Sequence, residues 1–208
     1  MKKNLVLVFA KNILLGKVKT RLAATIGDQN AFEVYKHLVE ITERETKRLE
    51  DTAVHIWFSD VVIGEKWPNA PKFVQHGADL GERMSAAFQH GFAAGYERII
   101  GIGSDLPDLT AEIMQEGLDA LDAFDTVFGP AEDGGYYLLG MKKIQPLIFE
   151  DQAWSTSALL QDTLSVLSTA KISSKLLQPL NDIDNLEDLK ASSIAHRFEA
   201  LTKKKSAR

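Results

Sequence analysis

The sequence contains no cysteine and no long hydrophobic run, and each absence excludes a class of protein. Without cysteine the chain has no disulfide framework, catalytic thiol, iron–sulfur cluster or thiolate zinc site. The longest apolar run, residues 5–10, is too short to cross a bilayer and shorter than the core of a signal peptide. We therefore expect a cytoplasmic protein without a membrane span.

The remaining composition is that of an ordinary folded domain. The chain has 208 residues, of which 45% are hydrophobic and 25% are charged. This length predicts one domain at residues 1–200, followed by a basic tail at residues 201–208. The formal net charge of −5 disfavours sequence-independent binding of nucleic acids, so an anionic ligand would need a local cluster of basic residues.

Strand-like and helix-like segments alternate along the chain, which predicts an α/β fold with a largely parallel sheet. The expected strands are residues 4–10, 53–59, 72–75, 98–103, 126–129, 136–141 and 175–178. The expected helices are residues 30–49, 79–94, 110–123, 157–168 and 185–195. We expect these helix caps, because short polar side chains accept hydrogen bonds from a first turn: Asp79, Asp108, Ser157, and either Asp184 or Asn185.

A loop rich in basic residues is expected after the first strand, from residue 11 to about residue 25. It contains Lys11, Lys17, Lys19 and Arg21, with Gly16 among them. Open α/β sheets bind ligands at the carboxyl ends of parallel strands, and clustered cations there favour phosphate groups. The glycine spacing matches neither a Walker loop nor a dinucleotide-binding fingerprint. The alternative is a solvated loop in which the cations are incidental.

Two acidic positions are candidates for binding a divalent cation. Asp105 follows the strand at residues 98–103, and Pro107 turns the chain away, so this carboxylate is expected in the same crevice as the basic loop. A carboxylate that faces a polyphosphate is typical of a Mg²⁺ site, and Asp184 would supply a second one. The alternatives are that Asp105 is a turn residue and that Asp184 caps a helix.

The segment Gly129-Pro-Ala-Glu-Asp-Gly-Gly-Tyr-Tyr137 joins two expected strands. Asp133-Gly134 on its own is typical of a β-hairpin. Two adjacent acids, two glycines and two aromatic residues are more than a turn needs. Gly134 and Gly135 would let a ligand approach the backbone, Tyr136 would supply an aromatic surface, and Asp133 would bind an acceptor or act as a base.

Several of these motifs occur together in one bacterial family. The motifs are Phe9-Ala-Lys11, Gly16-Lys-Val-Lys-Thr-Arg-Leu22, Asp79-Leu-Gly-Glu-Arg-Met84, Gly103-Ser-Asp-Leu-Pro107, the segment at residues 129–137, and Trp154-Ser-Thr156. In this series the sequence resembles the small glycosyltransferase-like proteins associated with radical-SAM and selenodomain proteins. That family belongs to the nucleotide-diphospho-sugar transferase superfamily, which includes phospholactate and molybdenum cofactor guanylyltransferases. The sequence departs from the family at Ile13, where proline is usual, and at Leu106, where cysteine is usual.

The resemblance implies a single-domain glycosyltransferase-A-like fold, a three-layer α/β sandwich with a mostly parallel mixed sheet. It implies Mg²⁺ or Mn²⁺ held by Asp105, with Asp184 in a closing segment like that of the guanylyltransferases. A nucleoside triphosphate or nucleotide sugar would be the substrate, with its phosphates on Lys17, Lys19 and Arg21. The catalytic residues would be Lys19, Arg21 and Asp133. The other nucleotide-binding positions would be Lys11, Gly16, Asp79, Ser104, Gly134, Gly135 and Tyr136.

Three functions remain open from the sequence. In nucleotidyl transfer, an acceptor phosphate that is already ionised attacks a nucleoside triphosphate, so the lack of a convincing histidine base slightly favours this reaction. In glycosyl transfer, a hydroxyl acceptor needs a base, either Asp133 or Glu132. A non-catalytic nucleotide- or metabolite-binding protein would bind without turnover. The expected partners are a nucleotide and a small-molecule acceptor. If the chain forms an oligomer, we expect a homodimer.

Overall fold

The computed structural model describes residues 2–150, 152–154 and 156–202. Most of the expected basic tail, residues 203–208, lies outside the described residues. The predicted boundary after residue 200 falls within a short helix, Glu199–Thr202.

The described residues form seven strands and seven α-helices, which confirms the α/β prediction. The strands are β1 (Asn4–Ala10), β2 (Thr52–Phe58), β3 (Lys72–Val74), β4 (Arg98–Gly103), β5 (Thr126–Pro130), β6 (Tyr136–Met141) and β7 (Ser174–Leu176). The helices are α1 (Thr20–Ile26), α2 (Asp28–Lys47), α3 (Leu80–Ala93), α4 (Ala111–Ala120), α5 (Leu159–Thr169), α6 (Leu186–Ala191) and α7 (Glu199–Thr202). Two 3₁₀ helices span Pro146–Ile148 and Ala195–Phe198. Among the described helices, none is both long and apolar enough to cross a membrane.

The strands form one mixed sheet in the order β3-β2-β1-β4-β6-β5-β7. The pairs β1–β2, β1–β4, β2–β3 and β5–β7 are parallel, whereas β6 runs antiparallel to both of its neighbours. At the carboxyl end of β1, Phe9 pairs with Gly103 of β4. The loops that follow these two central strands therefore emerge side by side, which is where ligands bind in open α/β sheets.

Alternating side chains of β1 belong to two apolar layers, one on each face of the sheet. Val6 and Val8 pack in one buried cluster with residues of α2 and α4. Leu5 and Leu7 pack in the other with residues of α3 and α5. Since helices cover both faces, β1 is hydrophobic from Leu5 to Ala10, and the architecture is the expected three-layer sandwich.

Helix α1 corrects the prediction of a continuous basic loop from residue 11 to residue 25. Its seven residues are too few to show a helical period, so the sequence pattern gave no signal for it. The helix forms because Leu22 is fully buried in a third apolar cluster, which also contains Leu38 of α2 and Leu189 of α6. Arg21 therefore lies on a helix, and Lys19 lies at its start.

The helix caps agree with the sequence at two positions and differ at two. Asp79 accepts a hydrogen bond from the first turn of α3, and Asn185 forms a reciprocal capping box with Asp188 at α6. Helix α4 is capped by the Thr110 hydroxyl, so the expectation that Asp108 caps it was wrong. Helix α5 begins after Ala158, and no described side chain caps it, so Ser157 does not have the expected role.

A buried histidine, His55 of β2, lies in an aromatic cluster near the β3 edge of the sheet. His55 is 6% exposed, and its ring lies 5.5 Å from the Phe73 ring, 6.1 Å from the His90 ring and 5.5 Å from the Tyr96 ring. Burial, helped by the neighbouring His90, lowers the pKa of His55 to about 4. The folded protein therefore holds this imidazole neutral at pH values where an unfolded chain protonates it.

This burial predicts acid sensitivity that depends on His55. The stabilising effect of the neutral ring is complete above pH 6.5 and is lost as the pH falls from 6.5 towards 4. A His55→Phe variant keeps an aromatic ring and removes the titration. Between pH 7 and pH 5, we expect the melting temperature of the wild type to fall by at least about 3 °C more than that of the variant. Differential scanning calorimetry checks this, and parallel pH profiles of the two proteins would contradict it.

Candidate functional site

Three charged side chains from distant parts of the chain meet at the carboxyl edge of β1 and β4. The Lys19 Nζ lies 2.9 Å from Asp105 Oδ2 and 3.1 Å from Asp184 Oδ1. The Lys19 side chain is only 3% exposed, whereas those of Asp105 and Asp184 are 27% and 42% exposed. Arg21 Nη1 lies 3.4 Å from Asp184 Oδ2, with most of its side chain in solvent. The structure thus brings together four of the residues predicted from sequence.

Local backbone geometry sets the position of each member of this group. Lys19 has a left-handed backbone, with φ 48°, at the start of α1. A Cβ atom on Gly103 would lie 2.8 Å from Asp105 Oδ1, so the glycine allows the carboxylate to fold back over the end of β4. Asp184 directly precedes the cap of α6, and its backbone N–H donates to the Asp188 carboxylate at 2.9 Å.

Opposite charges keep Lys19 and Asp105 ionised despite their burial. Burial alone would lower the pKa of Lys19, but the negative charges of Asp105 and Asp184 outweigh it and raise that pKa. Burial alone would raise the pKa of Asp105, but the adjacent Lys19 ammonium holds it below its usual value. The lysine is therefore a fixed positive charge between two carboxylates.

A third carboxylate, Asp182, joins the group and was missed from the sequence. One carboxylate oxygen from each of Asp105, Asp182 and Asp184 lies within 4.8 Å of the others. Asp182 is mostly buried, and this burial, together with the charge of Asp105, raises its pKa to about 6. A signal was present in the sequence: Asp182 and Asp184 flank the fully buried Ile183, so an extended chain turns both to one side.

The donor set fits a divalent cation that prefers oxygen ligands. Mg²⁺ and Mn²⁺ bind carboxylates together with phosphate oxygens and water. Asp105, Asp182 and Asp184 supply three carboxylates, and Asp105 and Asp182 also face the adjacent cleft. The Lys19 ammonium donates hydrogen bonds to two of these carboxylates, Asp105 and Asp184, and partly balances their charge.

Removal of Lys19 should destabilise the protein unless a cation replaces it. In Lys19→Met, three neighbouring carboxylates lose their internal counter-charge. We expect the free energy of unfolding to fall by about 2–3 kcal/mol, which is less than for a fully buried ion pair because two of the partners are partly solvated. This corresponds to a melting temperature lower by about 5–10 °C, with partial recovery in Mg²⁺. Lys17→Met, at an exposed position in the same loop, is the matched control. Equal melting temperatures for the two variants would contradict the account.

A cleft of about 270 Å³ opens beside the carboxylates. Its polar end is formed by Asp105, Asp133 and Asp182. Its walls are mostly apolar and are contributed by β1, β4, α3, β6 and the residues around the start of α5. Gly135 and Tyr136, both predicted from sequence, also line it, and the Tyr136 hydroxyl is buried without a hydrogen-bond partner among the described residues.

Two glycines allow the chain before α5 to form one wall of this cleft. A Cβ atom on Gly81 would lie 2.7 Å from Trp154 Cζ2, so the indole packs directly against the first turn of α3. A Cβ atom on Gly134 would lie 2.0 Å from the Ser157 carbonyl oxygen. The close approach at Gly134, whose φ is +89°, is thus to the protein's own backbone. Ser155 of the Trp154-Ser-Thr156 motif lies outside the described residues.

Other described residues that were predicted as ligands do not line the cleft. Lys11, Gly16 and Lys17 are exposed on the loop after β1. Asp79 is exposed, and its carboxylate caps α3. Ser104 is buried, and its hydroxyl lies 3.1 Å from the Tyr35 hydroxyl. Nucleotide contacts by these residues stay predictions.

Comparisons with known proteins support the fold and extend the resemblance. A family model described as "Uncharacterized protein conserved in bacteria (DUF2064)" matches residues 43–156, more than half of the chain. A crystal structure from Desulfovibrio desulfuricans G20, provisionally assigned as a nucleotide-diphospho-sugar transferase, is 32% identical, with 98% of each chain covered and a TM-score of 0.88. No curated protein matches the sequence.

More distant solved structures share the fold at low identity. A cytidylyltransferase from Leptospira borgpetersenii is 12% identical, with 100% of each chain covered and a TM-score of 0.56. The CMP:2-keto-3-deoxy-manno-octonic acid synthetase complexed with CTP is 10% identical, with 94% of this chain and 99% of that chain covered and a TM-score of 0.57. The relative from Desulfovibrio desulfuricans is assigned as a transferase, in agreement with the assignment of this chain as an enzyme. The chain belongs to the DUF2064 family, within the nucleotide-diphospho-sugar transferase superfamily.

Proposed function

We propose that the chain is a metal-dependent transferase acting on a nucleotide-activated substrate. The observation that carries this proposal is the convergence of Asp105, Asp182 and Asp184 around Lys19, at the carboxyl edge of β1 and β4 and beside a cleft. That edge is where open α/β sheets bind nucleotides. The fold shared with nucleotide-diphospho-sugar transferases and with a CTP-bound synthetase supports this class of substrate.

The residues divide into a metal-binding group and a phosphate-binding rim. Asp105, Asp182 and Asp184 would hold Mg²⁺ or Mn²⁺, which when bound supplies positive charge to the phosphates of the nucleotide. The Arg21 side chain is 81% exposed, and among the described residues its guanidinium makes one long contact, to Asp184. Its other donors would bind phosphate. Lys19 is buried between carboxylates, and its role is to hold them in place and to balance their charge.

The charge of the cleft favours glycosyl transfer from a nucleotide sugar to a hydroxyl group. Of the described residues that line the cleft, none is basic, and Asp133 has no described cationic partner. These carboxylates would therefore repel an anionic acceptor such as a phosphate, whereas an acceptor hydroxyl can donate a hydrogen bond to a carboxylate. Asp133 would accept the acceptor proton as the oxygen forms its bond to the sugar carbon and the nucleoside diphosphate leaves.

Nucleotidyl transfer, which the sequence alone slightly favours, is the second candidate. Its support is the shared fold with cytidylyltransferases, together with the absence of histidine from the described cleft lining. In that reaction an ionised acceptor attacks the nucleotide phosphorus, pyrophosphate leaves, and no protein base is required. The two candidates therefore differ in their leaving group and in their need for Asp133.

A thermal-shift screen tests the proposed class directly. Nucleoside triphosphates and nucleotide sugars are each added with Mg²⁺, with Mn²⁺ and with a chelator. We expect a subset to raise the melting temperature only with metal present, in accordance with RT ln(1 + [L]/Kd). A nucleotide sugar in that subset supports glycosyl transfer. No metal-dependent shift with any nucleotide would overturn the proposal, and binding without turnover in any acceptor mixture would indicate a non-catalytic binding protein.

A further inference from the structure

We propose that the acceptor is a small uncharged alcohol whose body is apolar and about the size of one ring. This inference rests on the proposed transferase function and adds the chemical class of the second substrate. It concerns the cleft beside the three carboxylates, whose shape and lining the nucleotide-binding proposal does not explain.

The cleft has an apolar interior that a polar sugar or polyphosphate would not fill well. Its apolar lining includes the side chains of Phe9, Leu80, Met84, Leu139, Trp154 and Leu159. Of these, Leu139, Met84 and Leu159 are nearly inaccessible to solvent, so the floor of the cleft is formed by the hydrophobic core itself. Trp154 adds a flat aromatic surface, because its packing on Gly81 fixes the indole at the wall.

The volume of the cleft limits the size of the apolar group. A cavity of about 150 Å³ lined by aliphatic and aromatic side chains holds one benzene molecule. At about 270 Å³, this cleft has room for one ring together with a short polar chain. A long lipid chain or a second nucleotide would not be enclosed.

The charge at the polar end selects for an uncharged reacting group. Asp105, Asp133 and Asp182 face this end, and no described residue lining the cleft is basic. Lys19, the nearest buried cation, is already bound by Asp105 and Asp184. A divalent cation held by the carboxylates would be shared with the phosphates of the donor, so Asp133 would stay uncompensated beside the acceptor. An alcohol fits this end because its O–H donates to a carboxylate, whereas a phosphate ester is repelled.

Three probes separate these features without any donor nucleotide: phenethyl alcohol, phenethyl phosphate and glycerol. We expect wild type to bind phenethyl alcohol at least about tenfold more tightly than either of the others, measured by ligand-observed NMR titration. Equal or tighter binding of phenethyl phosphate would overturn the uncharged acceptor. Equal binding of glycerol and phenethyl alcohol would overturn the apolar body.

A charge introduced at the rim of the cleft gives a second, independent test. Leu80 lines the cleft at the start of α3 and is 47% exposed, so Leu80→Arg should fold normally and add the missing cation. We expect this variant to bind phenethyl phosphate more tightly than phenethyl alcohol. Val166→Arg is the matched control, since Val166 is 41% exposed on α5 and does not line the cleft. If Leu80→Arg and Val166→Arg preferred the same one of these two probes, the proposal would be contradicted.

These outcomes are distinguishable from failure of the proposed function. If phenethyl alcohol fails to bind while metal-dependent nucleotide binding is present, the transferase proposal stands and the acceptor inference is wrong. If the alcohol binds as expected but no nucleotide shifts the melting temperature, the cleft is a binding site and the transferase proposal is wrong.

Discussion

Replacement of Asp105 by Asn is expected to lower the affinity for a metal–nucleotide complex by at least about 100-fold. The substitution removes the charge of one of three carboxylates that would hold the cation, and even the outer partners of metal ligands typically contribute about 10–100-fold. Lys19 keeps its ion pair with Asp184 in the variant, so the fold should be preserved. Isothermal titration calorimetry with Mg²⁺ and the nucleotide selected by the thermal-shift screen measures this loss.

The control for Asp105→Asn is the same substitution at Asp108. Asp108 lies three residues further along the same loop and is outside the carboxylate cluster. We expect Asp108→Asn to bind the metal–nucleotide complex within about twofold of wild type. Unchanged affinity in Asp105→Asn, or equal losses in both variants, would show that Asp105 has no role in metal binding.

Replacement of Asp133 by Asn is expected to lower turnover by about 10²–10⁴-fold, with nucleotide affinity unchanged. Asn keeps the size of Asp and can still accept the hydrogen bond from the Gly135 N–H, which is 2.9 Å long in the structure. The substitution therefore removes the base and retains the turn. The measurement is release of nucleoside diphosphate from the donor sugar in the presence of an alcohol acceptor.

Glu132→Gln is the control for Asp133→Asn. Glu132 is adjacent, exposed and absent from the cleft lining, so its loss should change turnover by less than about twofold. A loss of less than about tenfold in Asp133→Asn would favour nucleotidyl transfer to an ionised acceptor, in which no protein base is needed. Release of pyrophosphate in place of nucleoside diphosphate would support the same conclusion.

The parts of the fold that were predictable are those with a local signal. Strands β1 and β4 are continuous apolar runs, and Asp105 follows β4 directly, so both the sheet and this carboxylate could be placed from sequence. Helix α1 was missed because seven residues without a cap carry no clear period. It is stabilised instead by tertiary burial of Leu22, which only the folded chain shows.

The site was predictable as a list of residues but not as an arrangement. Lys19 and Asp184 are 165 positions apart, so their ion pair follows from the topology of the sheet and from no local pattern. The sequence therefore suggested Lys19 as a phosphate ligand, whereas the structure places it between two carboxylates. Likewise the apolar cleft is formed by side chains from β1, β4, α3, β6 and the residues around the start of α5, and no single segment carries a recognisable signal for it.

The most direct test of the account is the location of a bound cation. Crystals grown with Mn²⁺ and the nucleotide selected by the thermal-shift screen would show the metal by its anomalous scattering. The account predicts one strong anomalous peak within coordination distance of Asp105, Asp182 and Asp184, bridged to a phosphate oxygen of the nucleotide. An ordered nucleotide with no peak at these three carboxylates, or with the metal held by other residues, would contradict it.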